Sequence, residues 1–206
     1  KRTVVHHGMD PKPWREERAR ATGTTAHDRP YILSVSSIYP YKNYVRLIQA
    51  YAELAQRQPS VPDLVIVGDD QDPAYAAKMR AAREATGDLA ECIHILGEVP
   101  YADIRRYYRE AALCVFPSYL ETFGHPLLEA MASDVPLVAA DIPVFHEVAG
   151  DAAFYGDPLE TKSLASAMEA ALFEPGAAEL LVKRGRERLK LFTWERTAQR
   201  LVGMFH

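Results

Sequence analysis

Short apolar runs alternate with longer amphipathic stretches along most of this chain. Residues 31–36, 64–67, 93–96, 113–116, 137–140 and 153–155 are compact runs of apolar and β-forming residues, the pattern of strands buried on both faces. Between them, 44–58, 73–86, 102–111 and 126–132 carry apolar residues at helical spacing, and helices over 162–173, 178–191 and 194–205 close the chain. In the first of these helices the pattern places Val45, Ile48, Ala52 and Ala55 on one face and Gln56 and Arg57 on the other. Punctuation agrees with the reading. Asp72 before Pro73 is an N-cap, Pro126 suits a first helical turn, and Asp157-Pro158-Leu159-Glu160 has a capping-box-like pattern. Asp134 can adopt the left-handed conformation that ends a helix, though less readily than glycine. Strand and helix in strict alternation predict an α/β, Rossmann-like, doubly wound parallel sheet of about six strands flanked by helices.

The two ends of the chain break this rhythm. Residues 1–29 are polar, with Pro11, Pro13, Gly23 and Thr24-Thr25, and read as linker and approach segment rather than core. Arg15 to Arg20 is charged enough for a short exposed helix. The expected organisation is therefore a linker over 1–29, a Rossmann-like domain over 30–192 and a terminal helix over 193–206.

Composition narrows the function classes. The 206 residues are 48% hydrophobic and 25% charged, ordinary for one globular α/β unit. A net charge of −4 disfavours a nucleic-acid surface. No apolar run nears the roughly 20 residues of a membrane span, and the start has no signal-peptide core, so a cytoplasmic protein is expected. Cys92 and Cys114 lie in apolar runs without metal spacing and read as buried, reduced packing residues. Asp69-Asp70-Gln71-Asp72 contains a D-x-D, but Asp72 is better used as a cap. His6-His7 has no carboxylate or cysteine at ligand spacing, and His146-Glu147 lacks a second histidine four residues on. No metal is expected. Tyr101, Tyr107 and Tyr108 are read as helix packing.

The chemistry concentrates between Phe116 and Glu129. The 113–116 run stops at Pro117, a polar loop holds Glu121 and Gly124, and Pro126 opens a helix. Backbone N–H groups around Phe123, Gly124 and His125 would point out of that helix start, where the helix dipole favours an anion. Glycine at 124 allows close backbone approach. Two glutamates beside an anion site make sense when the ligand also offers hydroxyls, since carboxylates accept hydrogen bonds from them. A sugar carrying phosphate fits both demands. Upstream, Lys42 stands in the loop that follows the first strand, where ligands gather in open parallel sheets.

The stretch Glu121-Thr122-Phe123-Gly124-His125-Pro126-Leu127-Leu128-Glu129 resembles the E-x7-E signature of retaining glycosyltransferases with the two-domain GT-B fold, in the large family that includes sucrose-phosphate and mannosyl transferases (group 1, glycosyltransferase family four). The likeness extends through Ala130-Met131-Ala132, Val135 to Ala139, Glu147 to Gly150 and, far upstream, Lys42-Asn43. It covers only that family's C-terminal, donor-binding half. It implies a nucleotide-diphosphate sugar as donor, most readily a UDP- or GDP-sugar, with no metal and no other cofactor. It implies Glu129 on the ribose hydroxyls, and Glu121 on the donor sugar or its phosphate side. The leaving diphosphate would meet Lys42 and the backbone of Phe123, Gly124 and His125. Val99 would neighbour the base through its backbone, and Ser37 stands where many members have arginine. A separate N-terminal acceptor-binding domain is the implied partner, and a peripheral position of the complete enzyme at the inner membrane face is compatible with it. The isolated chain is expected to transfer nothing. The other reading kept open is a nucleotide-sugar-binding or regulatory module, or an epimerase-like relative, without transferase activity.

Overall fold

The computed structural model describes residues 4–16 and 27–204. Its centre is a six-stranded parallel sheet in the order β3-β2-β1-β4-β5-β6, with β1 at Tyr31–Val35, β2 at Asp63–Val67, β3 at Ile93–Gly97, β4 at Leu113–Phe116, β5 at Leu137–Ala140 and β6 at Phe154–Gly156. The chain winds outward from β1 to β3, returns to the far side of β1 as β4, and winds outward again. Helices α2 (Tyr44–Arg57), α3 (Pro73–Glu84), α4 (Tyr101–Glu110), α5 (His125–Ala132), α6 (Pro143–Ala149) and α7 (Thr161–Phe173) lie along or between these strands. A short α1 (Lys12–Glu16) precedes the sheet, and α8 (Ala177–Leu189) and α9 (Trp194–Val202) follow it.

The four inner strands are apolar on both faces because both faces are covered. Leu33, Val65, Val67, Cys114, Phe116 and Leu137 point into one core with α4, α5 and α6. Their neighbours Ile32, Leu64, Ile66, Leu113, Val115 and Val138 point into the other, with α2, α3 and α7. The edge strands β3 and β6 are only partly buried.

Three sequence expectations need correction, and a fourth falls largely outside the described residues. The buried face of α2 is Tyr44, Leu47, Ile48, Tyr51 and Leu54, while Val45, Ala52 and Ala55 are only half-buried. The two tyrosines decide the face, since their large rings go into the core and only the hydroxyl needs a partner. Trp14 is buried edge-on against Tyr108, so the approach segment contributes to the core it was expected to skirt. The expected exposed helix at Arg15 to Arg20 overlaps α1 only at its first residues, and 17–26 lie outside the described residues. Asp157 accepts from the N–H of Leu159 in a turn, and α7 begins four residues later at Thr161, with Glu160 as its cap position. Two smaller departures are Tyr101, which is exposed rather than packed, and Cys92, which ends a 3-10 turn and is only partly buried. Asp134 takes the left-handed conformation open to it, at φ 57°.

Candidate functional site

The chain reverses its winding direction between β1 and β4, and in open α/β sheets a crevice forms outside the carboxyl ends of the strands at that point. The loop after β1 carries Ser37 and Lys42; the loop after β4 carries Glu121, Phe123 and Gly124. The structure brings the two loops together. Lys42 Nζ forms an ion pair with Glu121 Oε1, and both side chains are nearly buried, at 12% and 13% exposure. The ammonium also lies 5.2 Å from the ring centre of Tyr41. Two residues 79 apart in sequence thus share one charge pair at the crevice.

Local bonding explains why the loops hold this arrangement. Asn43 adopts φ 65°, a conformation asparagine tolerates, and its Nδ2 donates to the carbonyls of Pro117 at 3.0 Å and Pro158 at 2.7 Å. Asn43 stands at the N-terminal cap position of α2 but makes no side-chain cap; its side chain instead ties three loops. Tyr119 N–H donates to Tyr41 O at 3.0 Å. On the other side of the β1 loop, Ile38 N–H donates to Asp69 O and Asp72 N–H to Ile38 O. Asp72 accepts from Tyr75 N–H at 2.9 Å as the cap of α3, Asp70 pairs with Arg80, and hydrogen bonds from Ser37 and Gln71 lower the Asp69 pKa. Each aspartate of the D-x-D stretch therefore has a protein partner.

Gly124 sits at the start of α5 with φ 92°, a value that favours glycine, and an added Cβ would stand 3.0 Å from the Phe145 ring. Phe123 and His125 flank it and pack on each other with ring centres 4.9 Å apart. The paired histidines join them: His6 stacks on Phe123 at 5.9 Å, and His7 meets the His125 ring edge-on at 4.8 Å. Glu147, 2.7 Å from His6 Nε2, is exposed on the outside of this cluster. Sequence spacing gave no signal that His6 and His7 would border the central motif. Burial and the neighbouring His7 lower the His125 pKa, with Glu121 opposing them.

Glu129 lies in the second turn of α5 among the buried Leu127, Leu128, Ala130 and Met131. Its carboxyl is partly buried, which raises its pKa, and the Tyr108 hydroxyl beside it works in the opposite direction. That hydroxyl is fully buried and has no hydrogen bond of good geometry among the described residues. Tyr108, read from sequence as plain packing, is thus a second polar group facing Glu129. Val99 lies after β3, half-buried against the core, two strands from the Lys42 pair. The carboxyl ends of β2 and β3 are joined to each other by the Gly68 N–H bond to Gly97 O, at 2.9 Å.

The family described as Glycosyl transferases group 1 matches residues 15–188. The chain belongs to this glycosyltransferase family. It is 30% identical over 178 residues to the O-antigen chain mannosyltransferase B of Escherichia coli, covering 85% of this chain and 45% of that protein. Among solved structures, the sucrose-phosphate synthase of Thermosynechococcus elongatus superimposes with TM-score 0.81 at 26% identity, over 98% of this chain and 51% of the other. The Anabaena protein HepE, solved in complex with UDP and glucose, shares the fold with TM-score 0.83 at 20% identity, over 98% and 56%. This glycosyltransferase domain spans about half the length of the proteins it matches. The Rossmann-like half of a GT-B fold expected from the sequence is the fold observed. No helix among the described residues is long and apolar enough to cross a membrane.

Proposed function

We propose that this chain is the donor-binding half of a retaining hexosyltransferase that uses a nucleotide-diphosphate sugar. The observation that carries the reading is the Lys42–Glu121 pair at the switch point, beside the start of α5. A nearly buried ion pair gives little net stability, because desolvation offsets most of the attraction. A diphosphate can draw the ammonium away from Glu121. Lys42 and the first-turn N–H groups near Phe123, Gly124 and His125 then hold the phosphate charge, and the freed Glu121 carboxylate accepts from sugar hydroxyls.

Departure of the diphosphate breaks the bond from the anomeric carbon to the phosphate oxygen, the electron pair leaves with that oxygen, an acceptor hydroxyl oxygen bonds the anomeric carbon, and the hydroxyl proton passes to the departing phosphate. Donors fixed in advance stabilise this charge as it develops, without a metal. Glu129 binds the ribose hydroxyls, and partial burial keeps that contact dry. The backbone near Val99 borders the base, and Ser37 contributes a hydroxyl to the phosphate side where many members place an arginine. The UDP complex of HepE supports UDP as the first nucleotide to try, with GDP beside it. The acceptor site belongs to a companion domain N-terminal to this one, with the segment before β1 as the connection and α9 as the helix that returns to it. The complete enzyme works in the cytoplasm in this reading.

Calorimetric titration with UDP, GDP, ADP and dTDP tests the proposal. One diphosphate is expected to bind, with affinity lost in Glu129→Ala and sharply reduced in Lys42→Ala. Unchanged affinity in Glu129→Ala overturns the site assignment. Binding without sugar transfer or donor hydrolysis by the isolated chain is expected as well, and turnover by this chain alone would refute the need for a companion domain.

A further inference from the structure

At the amino ends of the strands, away from the Lys42 crevice, three side chains from distant parts of the sequence converge. His27 precedes β1, Asp63 is the first residue of β2, and His94 is the second residue of β3. Both imidazoles aim Nε2 at the same carboxylate oxygen, Asp63 Oδ2, at 2.9 Å for His27 and 3.2 Å for His94. The three donor atoms lie within 4.8 Å of one another, and the two imidazole centres are 4.5 Å apart. Two ring nitrogens sharing one oxygen is a crowded way to satisfy a carboxylate. It is an economical way to surround an ion. A tetrahedral zinc ion with bonds of about 2.0–2.2 Å separates its ligand atoms by roughly 3.3 Å. The two oxygen-to-nitrogen separations are already close to that figure.

We propose that His27, Asp63 and His94 form a zinc site that fastens the segment before β1 to the amino ends of β2 and β3. Asp63 is buried, at 2% side-chain exposure, whereas the two histidines are 20% and 30% exposed, so the fourth position opens to solvent. The donor set of two imidazoles and one carboxylate suits zinc better than calcium or magnesium, which prefer oxygen ligands. Arg29 Nη1 stands 3.1 Å from the other carboxylate oxygen, Oδ1. A zinc ion bound through Oδ2 leaves that pair in place as an outer partner that orients the carboxylate. The nearby guanidinium charge weakens the site, but Arg29 is 60% exposed and its field is screened by water. The strands' opposite ends carry the candidate chemistry, so the ion's role is structural.

The test uses this chain stripped of metal with a chelator, dialysed, and titrated with zinc chloride by calorimetry. Cobalt chloride then reports geometry through its visible absorption. One zinc per chain is expected, with intense tetrahedral cobalt bands and a melting temperature raised by about 5 °C or more at saturating zinc. His27→Ala and His94→Ala should each weaken zinc binding by more than the roughly 10–100-fold of an outer-partner loss, while His7→Ala leaves it intact. His27 lies outside every strand, so its variant tests the site even if His94→Ala folds poorly. Absence of a one-equivalent binding event, or equal affinity in wild type and both site variants, overturns the proposal and leaves an internal hydrogen-bond cluster.

Discussion

Glu129 keeps a partly buried carboxyl, and this burial raises its pKa above the ordinary 4.5. The folded state therefore holds this proton more tightly than the unfolded chain does. Its contribution to stability is full below pH 4.5 and is lost as pH rises through the folded-state pKa. Glu129→Gln is neutral at every pH. Thermal melts from pH 4 to 7.5 should show the variant more stable than wild type near neutrality, with the difference closing toward pH 4. An equal gap at both ends would mean that burial of charge is not what separates them. The same substitution should cost nucleotide affinity, because an amide is a poorer acceptor for ribose hydroxyls than a carboxylate. Sequence placed Glu129 one turn into a helix at the right loop. It could not show Tyr108 beside it, since that residue arrives from α4.

At the level of elements, the loops after β1, β4 and β6 meet at Asn43. Its Nδ2 bonds reach Pro117 and Pro158 from a backbone at φ 65°, and the residue is 6% exposed. Asn43→Ala loses both bonds and keeps a strained left-handed position, a cost of about 2–4 kcal/mol. Asn43→Gly relieves the strain and should recover only about 1 kcal/mol of this. Urea denaturation measures both, and equal stability of alanine and wild type would remove Asn43 from its role as a tie. The helix itself was legible from its period of 3.6. Its buried face was misjudged because counting aliphatic residues ignored Tyr44 and Tyr51, which bury more area than any alanine.

Across the whole molecule, residues 6–9 and 192–197 pack together beside the motif cluster. Met9 N–H donates to Phe192 O, Thr197 Oγ1 donates to His6 O, and a Cβ on Gly8 would collide with the Trp194 backbone at 2.4 Å. Helix α9 buries none of its residues, and Trp194, Leu201 and Val202 are 55%, 45% and 57% exposed. In the proposed two-domain enzyme these side chains are covered by the companion domain. Leu201→Ser should then change the stability of this chain by no more than about 0.5 kcal/mol. In the complete protein it should lower the melting temperature measurably. Equal, small effects in both would place α9 outside the domain contact.

Alternation of apolar runs with helical stretches determined the parallel α/β sheet, because a strand covered on both faces must be apolar throughout and each parallel return needs a crossover. The order Glu121, Gly124, Pro126, Glu129 likewise determined a strand, loop and helix start suited to phosphate and hydroxyls, since these are local backbone properties. Contacts between distant segments were decided only by the tertiary structure. Lys42 meets Glu121 because β1 and β4 are neighbours in space, and His27 meets His94 because Asp63 of β2 lies between their segments. Trp14 enters the core and Asn43 joins three loops for the same reason. Periodicity reports which face of an element is apolar; it carries no record of which other element that face will meet.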